Sequence, residues 1–562
     1  MSSSDHAHHR NVPTCLENAL LRIEIGPWGL HVKAKRRVAE GTVITRTSSF
    51  SHKYYHYQYQ YQDEDNCTDS NTTSTDCCSF CSTSSSSKVV IRLFRCSACR
   101  VVKYCGRDCQ RLDFPQHKRE CHYLQKLHQC DGSIQRQSVI EHRSGEINDT
   151  CLLLRTYGEL EKRHGQAKKS NSSHFCKAGP VDGNGIATIS CGTHHWNAMV
   201  RANVCEAQDQ ESELSKTRIL ESVSSFTTWT AKEARDALQV FQANNFAIVN
   251  SLHEPIGQGV FPHAALLNHS CDPNCLLRFN CYPNNSKNTI LEIVAMRNID
   301  DGDELTHSYV DLVEDTETRR RRLHDVHGFV CKCQRCEGNV TVQLPRTVPA
   351  KLYEWIINHR NPMAARTEGG DSIESSGSGS QRELISISID EALLCYGGRS
   401  DSCGPNDTSA TGSRENQQVQ QLLLESRRQF AVNNIAGEVS ALQDALKAIT
   451  CPAPPPLSRD LYQLRGKLLS SLLVLTSDMT GNECDAHQAA QALQESADTC
   501  RAMVAFLLVT LPPNHPLLGL QLFTLGDLTG DRSFHRWARR ILRISHGPSH
   551  DLVRRLDTII YP

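Results

Sequence analysis

Four short pairs of cysteine and histidine stand within 44 residues: Cys78–Cys81, Cys96–Cys99, Cys105–Cys109 and His117–Cys121. Short pairs suit zinc, because one turn of backbone brings two soft donors to the same tetrahedral ion. Eight ligands fill two closed sites, seven cysteines and one histidine. A closed site leaves no position for water, so this metal is expected to be structural. In so small a segment it would supply much of the folding free energy. Cys77 adjoins Cys78 and is an alternative first ligand.

A second group lies downstream. Asn268-His269-Ser270-Cys271-Asp272-Pro273-Asn274 follows the apolar run Ala264-Ala265-Leu266-Leu267. Polar groups so placed are costly to bury without partners, so the string reads as a capped turn or a site. Asp301-Gly302-Asp303-Glu304-Leu305-Thr306-His307-Ser308-Tyr309 comes next, then Phe329-Val330-Cys331-Lys332-Cys333-Gln334-Arg335-Cys336. Cys331, Cys333 and Cys336 leave a zinc one ligand short, and Cys271 is the expected fourth.

The chain is 562 residues long, enough for several domains, and carries 26 cysteines. The opening MSSSDHAHHR has no apolar core, and the longest apolar run, Met503–Val509, falls far short of the roughly 20 residues that span a bilayer. A reducing compartment, cytoplasm and nucleus, is therefore expected, where clustered cysteines bind metal rather than pair. With 61 basic against 62 acidic residues, whole-protein charge does not favour nucleic acid. The run Arg319–Arg322 reads as a solvated helix face.

Several elements must position these groups. Residues 19–47 alternate apolar and polar around a Gly/Pro turn and predict strands. Residues 48–76 are a Tyr/Gln/Ser/Thr run, read as a flexible insert. Residues 131–215 are polar with scattered Gly and carry little signal, while Ile219, Leu220, Val223, Phe226, Ala234 and Leu238 stand at helical spacing and predict helix over 216–245. Strands and loops are expected up to Tyr309. Residues 366–415, rich in Ser and Gly, predict a disordered loop. Leu422, Phe430, Ile435, Leu442, Leu446 and Ile449 suggest a helix pair that the run CPAPPP ends, and Leu461 to Leu475 begin another helix.

The ligand order in 78–121 resembles the MYND finger. The whole combination resembles the SET-domain lysine methyltransferases, and with the inserted finger the SMYD (SET and MYND domain) family. GPWGLHVKA is similar to the family's glycine-rich segment, Asn244-Asn245-Phe246-Ala247-Ile248 to its N-x-F-x-I stretch, LLNHSCDPNC and DGDELTHSY to its core motifs, and RRRRLHDVHGFVCKCQRC to its post-SET element. PPNHPLLGLQLFTLGDL and ISHGPSHDLVRRL resemble its C-terminal helices.

The resemblance implies an α+β fold: a SET β-fold with an inserted MYND zinc finger, a zinc-bound post-SET element and a C-terminal helical, TPR-like domain. The implied divisions are 16–76 for the N-terminal SET part with its insert, 78–121 for the finger, 131–243 for the helical insert, 244–312 for the SET core, 313–340 for the post-SET element and 341–562 for the helical domain. It implies interleaved zinc sites, Cys78, Cys81, Cys105 and Cys109 on one ion and Cys96, Cys99, His117 and Cys121 on the other, with Cys271, Cys331, Cys333 and Cys336 on a third. It also implies a monomer, a finger that binds proline-rich peptides, and transfer of methyl from S-adenosyl-L-methionine to a lysine ε-amine of a histone or non-histone protein.

Carried over by motif, Tyr309 is the catalytic tyrosine and also borders the cofactor. Asn268, His269 and Asn244 would contact the cofactor, Phe329 would stack on its adenine, and Trp28, Gly29 and Leu30 would approach it through backbone. Outside the motif, Tyr309 reads as a strand-end core residue, His269 as a turn histidine and Phe329 as core packing. Three positions depart from the family: Pro27 replaces the first glycine of G-x-G, His307 stands where an apolar residue is frequent, and His327 stands where an aromatic is common. A catalytically silent scaffold with a working finger is the alternative function.

Overall fold

The computed structural model describes residues 18–26, 29–55, 78–81, 92–129, 143–167, 177–181, 187–190, 196, 199, 210–280, 289–337, 341–343, 386–388, 411–450, 459–478 and 483–562. It falls into two compact units, Met1–Tyr309 with Arg320–Val330, and Val310–Arg319 with Cys331–Pro562.

The first unit mixes strands and helices. Strands β1 (Leu21–Gly26) and β2 (Gly29–Ala34) form the hairpin that the alternation predicts, with Gly26 opposite Gly29. β3 (Val43–Ser48) lies in a five-stranded sheet of order β12-β13-β3-β8-β7, where β7 is Lys177–Val181, β8 Ala187–Ser190, β12 Cys275–Asn280 and β13 Ile290–Ala295. β4 (Ser51–Tyr54), β9 (Asn245–Val249) and β10 (Pro255–Val260) make a three-stranded sheet of order β4-β10-β9. Leu21, Val32, Ile44, Ile248, Phe261, Leu267, Leu291, Ile293 and Leu305 close one core between these strands.

β4 corrects the reading of 48–76 as a flexible insert: all four of its residues are buried. Its polar side chains have partners. Ser51 Oγ meets Thr156 Oγ1 at 2.6 Å, Tyr54 Oη meets Thr289 Oγ1 at 2.7 Å, and Lys53 Nζ lies 3.6 Å from Glu120. Gly257 permits the close approach of β10, since a Cβ there would collide with the Lys53 carbonyl oxygen. Residues 56–76 lie outside the described residues.

The finger contributes a ribbon, β5 (Phe94–Arg95) and β6 (Lys103–Tyr104), and the helix α1 (Arg107–Gln129). α2 (Ser144–Ala167) follows in the predicted helical insert. The helical spacing over 216–245 falls on two helices, α3 (Gln210–Phe226) and α4 (Ala231–Asn244). Thr230 caps α4, its hydroxyl accepting from the Glu233 N–H while the Glu233 carboxylate accepts from the Thr230 N–H. Leu152, Leu153, Ile219, Val223, Leu238 and Phe241 pack these helices together.

β11 (Asn268–His269) pairs in parallel with β14 (Thr306–His307), and α5 (Thr316–His327) follows. The second unit contains a short ribbon, β15 (Thr341–Gln343) with β16 (Ser386–Ser388). The rest of the predicted 366–415 loop, up to residue 410, lies outside the described residues. Seven helices complete this unit's described part: α6 (Thr411–Ala431), α7 (Ile435–Thr450), α8 (Arg459–Asp478), α9 (Glu483–Thr510), α10 (Pro516–Thr529), α11 (Arg532–Ser545) and α12 (Asp551–Ile560). Val439, Leu442, Leu464, Leu468 and Leu472 share a core. No described helix is long and apolar enough to cross a membrane.

Candidate functional site

The finger gathers its ligands into two groups. Cys78, Cys81, Cys105 and Cys109 lie with donor atoms within 4.8 Å of one another, as do Cys96, Cys99, His117 and Cys121. A zinc with Zn–S near ~2.3 Å and tetrahedral angles separates its donors by about 3.8 Å. Here Cys81 and Cys105 sulfurs are 3.6 Å apart, Cys105 and Cys109 3.5 Å, Cys96 and Cys121 3.9 Å, and Cys99 Sγ is 3.7 Å from His117 Nε2. None of these separations suits a disulfide, whose sulfurs bond at about 2 Å. The donor set therefore fits a tetrahedral soft-ligand ion, in the interleaved pairing. Cys78 takes the first position, and Cys77 lies outside the described residues.

α1 makes the second group possible. His117 and Cys121 are four residues apart and so share one helical face. His117 Nδ1 meets Glu120 Oε1 at 2.7 Å, which turns Nε2 toward the cysteines. Behind Glu120 stands a buried ion network. Arg155 of α2, fully buried, donates to Asp113 at 2.9 and 3.0 Å and to Glu120 at 2.5 Å. Burial alone would raise the Glu120 carboxyl; Arg155, Lys53 and the hydrogen bonds from His117 and Arg155 outweigh it and hold it well below the usual range. Residues 113, 120 and 155 share no motif, so nothing in their spacing announces this network.

In the other motif group each polar residue finds a partner. Asn268 Nδ2 donates to the Leu30 carbonyl at 2.9 Å and to Glu304 at 2.7 Å, tying the turn to the glycine-rich hairpin. Glu304 also meets His31 Nδ1 at 2.8 Å, so Glu304 and His31 join the site although spacing gave them no role. Asn274 donates to the Glu304 carbonyl at 2.8 Å and accepts from the Thr306 N–H at 2.9 Å. Arg297 holds Asp272 at 2.9 Å.

Tyr309 sits where these segments meet. Its N–H donates to His269 Nδ1 at 3.0 Å and its hydroxyl to the Leu267 carbonyl at 2.7 Å. Nδ1 of His269 therefore accepts, and Nε2, which carries the proton, lies 3.2 Å from Cys271 Sγ. Burial, with Glu304 nearby, pushes the Tyr309 hydroxyl up, so it stays protonated at neutral pH. Rings surround it: His327 at 4.7 Å, His307 at 4.9 Å and His269 at 5.3 Å between centroids. Phe329 stands 6.0 Å from His269. Burial lowers both His307 and His327 to about 4, so both rings are neutral.

Of the remaining expected contacts, Asn244 is buried, its amide donating to its own helix at Val240 O, 2.6 Å away. Gly29 and Leu30 open β2, while Pro27 and Trp28 lie outside the described residues. Cys271 is fully buried in the first unit. In the second unit Cys331, Cys333 and Cys336 share a tight turn, the Cys336 N–H donating to Cys333 O at 2.9 Å and Arg319 approaching Cys336 Sγ at 3.8 Å.

The MYND finger family model matches residues 77–121. Histone-lysine N-methyltransferase SMYD3 of Homo sapiens is 30% identical over 258 residues, 44% of this chain and 49% of that protein. Histone-lysine N-methyltransferase ASHR1 of Arabidopsis thaliana is 23% identical over 506 residues, 87% of each chain. N-lysine methyltransferase SMYD2 of Homo sapiens is 26% identical over 256 residues, 43% of this chain and 48% of that protein. The chain thus spans about half the length of the SMYD relatives it matches. A crystal structure of the SET domain of LSMT bound to lysine and AdoHcy has a TM-score of 0.23 at 12% identity, over 97% of this chain and 95% of that one, a likeness too slight to argue from. The finger match and these relatives agree with the motifs: the chain carries a MYND finger and is similar to SMYD-type lysine methyltransferases.

Proposed function

We propose that the chain is a protein-lysine N-methyltransferase that uses S-adenosyl-L-methionine, with a histone or non-histone protein as substrate. The observation that carries this reading is the position of Tyr309, fixed at its N–H by His269 and at its hydroxyl by Leu267 O. The cofactor supplies a methyl group on a sulfonium. The residues suit it: Leu30 is brought to Asn268 through its carbonyl, and Phe329 offers a flat apolar ring near His269.

The nucleophile must be a neutral amine, although free lysine titrates near ~10.4. Enclosure by Tyr309, His307 and His327, all neutral, disfavours the ammonium and favours the reactive form. Tyr309 would orient the amine. Alignment of amine and methyl carries much of the remaining barrier, roughly 7–11 kcal/mol at the upper end. Zinc fits both finger groups. The finger would recruit proline-rich peptides, and the chain would work as a monomer in cytoplasm and nucleus.

Calorimetric titration with the cofactor, followed by transfer of tritium from labelled cofactor to core histones and to a lysate, tests the proposal. Binding and transfer support it; no binding and no transfer by zinc-loaded protein would favour the silent scaffold.

A further inference from the structure

Two of the three departures from the family pattern converge on one ring. His307 and His327 flank Tyr309, at 4.9 and 4.7 Å. His307 is the more enclosed: it is 4% exposed, and Phe246 stands 5.7 Å from it, between centroids. Its Nδ1 lies 3.0 Å from the Ser308 carbonyl oxygen, which can only accept, so the proton sits on Nδ1. Nε2 is then a bare acceptor. It is buried and has no hydrogen-bond partner among the described residues. A buried acceptor left unmatched costs free energy, and the apolar residue frequent at this position would avoid the cost. The Tyr309 hydroxyl does not serve it, being committed to Leu267 O. No described side chain supplies the donor, and the acceptor stands beside Tyr309, where a substrate amine would bring one.

We propose that His307 Nε2 accepts a hydrogen bond from the ε-amine of the lysine undergoing methylation, holding that nitrogen against Tyr309. The assignment rests on the methyltransferase reading and gives its site a substrate-contacting residue that the motif alone does not supply. An amine has hydrogens to donate and one lone pair to attack with. An acceptor for one N–H fixes where that lone pair points. His307 does not take the proton away in this role. It positions, and the methyl transfer itself proceeds between amine and cofactor.

The test compares the full zinc-loaded chain with His307→Phe and His307→Gln, using tritiated cofactor at saturation, with a mixture of the four recombinant core histones and, in parallel, a cell lysate as acceptors. Phenylalanine keeps the ring and removes the acceptor; glutamine restores an acceptor oxygen. The expected result is a fall of about tenfold in kcat/KM for the acceptor protein with His307→Phe, equivalent to ~1.4 kcal/mol. Cofactor affinity stays unchanged by calorimetry, the thermal midpoint stays equal or rises, and His307→Gln recovers most of the loss. A kcat/KM for His307→Phe within about twofold of wild type overturns the proposal while leaving the methyltransferase reading standing. Parallel loss of thermal midpoint and activity in both variants overturns it in favour of a structural histidine. Absence of cofactor binding and of labelling by the wild type overturns both readings together.

Discussion

Replacing Arg155 by methionine tests how the finger is tied to the rest of its unit. The local charge balance is two cations, Arg155 and Lys53, against two anions, Asp113 and Glu120. Arg155 and Glu120 are fully buried and Asp113 is 4% exposed, so water can replace little of what is lost. Methionine leaves one anion uncompensated. Removing one partner of a buried pair costs about 3–5 kcal/mol. For a unit of this size that lowers the thermal midpoint by roughly 6–20 °C. Glu120 also orients His117, so its altered setting should weaken the Cys96, Cys99, His117, Cys121 site by about 10–100-fold in metal affinity. Differential scanning calorimetry gives the first quantity, and zinc release to a coloured chelator gives the second. The double variant Arg155→Met, Asp113→Asn restores charge balance and should recover part of the stability. An unchanged midpoint together with unchanged zinc release in Arg155→Met would refute the reasoning.

Further outcomes follow from the same contacts. Cys105→Ser should remove about one zinc per chain by elemental analysis, since Cys105 sits within 3.6 Å of two ligand sulfurs; undiminished zinc would break the assignment. His52 and His307 are both held near 4, His52 by burial and then by the Arg155 charge, His307 by burial. The unfolded chain binds their protons below pH ~6.5 and the folded chain only near 4, so stability should rise with pH across that window and flatten above it, by up to about 3 kcal/mol for each histidine. Denaturant unfolding of His307→Phe between pH 5 and 7 should show a shallower slope, and an identical slope would contradict the assignment. Gly257→Ala should cost about 1–3 kcal/mol by forcing β10 off β4, read as a lower midpoint.

Much of the site was legible because its chemistry is local. The zinc ligands of the finger come in pairs three or four residues apart, so type and spacing bring them out, whereas the turn Asn268–Asn274 shows only as a dense polar string whose partners Leu30, Arg297 and Glu304 lie elsewhere in the chain. The hairpin at Gly26 and Gly29 and the helices around Leu442 and Leu468 follow from periodicity. What spacing hides is long-range pairing. Arg155 meets Asp113 across 42 positions, and His31 meets Glu304 across 273. β4 was hidden for a different reason: Ser51, His52 and Lys53 look like solvent-facing residues until Thr156 and Glu120 are seen to receive them. The break between α3 and α4 is marked in the sequence itself, since Thr230 and Glu233 stand at capping-box spacing. His307 and His327 were each visible as departures, but only the fold puts both on the ring of Tyr309.

The central claim is that Tyr309 stands at a methyl-transfer site. A methyl-proteome comparison of cells expressing wild type or Tyr309→Phe tests it most directly. The account predicts a defined set of methyl-lysine sites that appear with wild type and vanish with Tyr309→Phe, the variant protein remaining folded and zinc-loaded. Identical lysine methylation in the two, at equal expression, would contradict it.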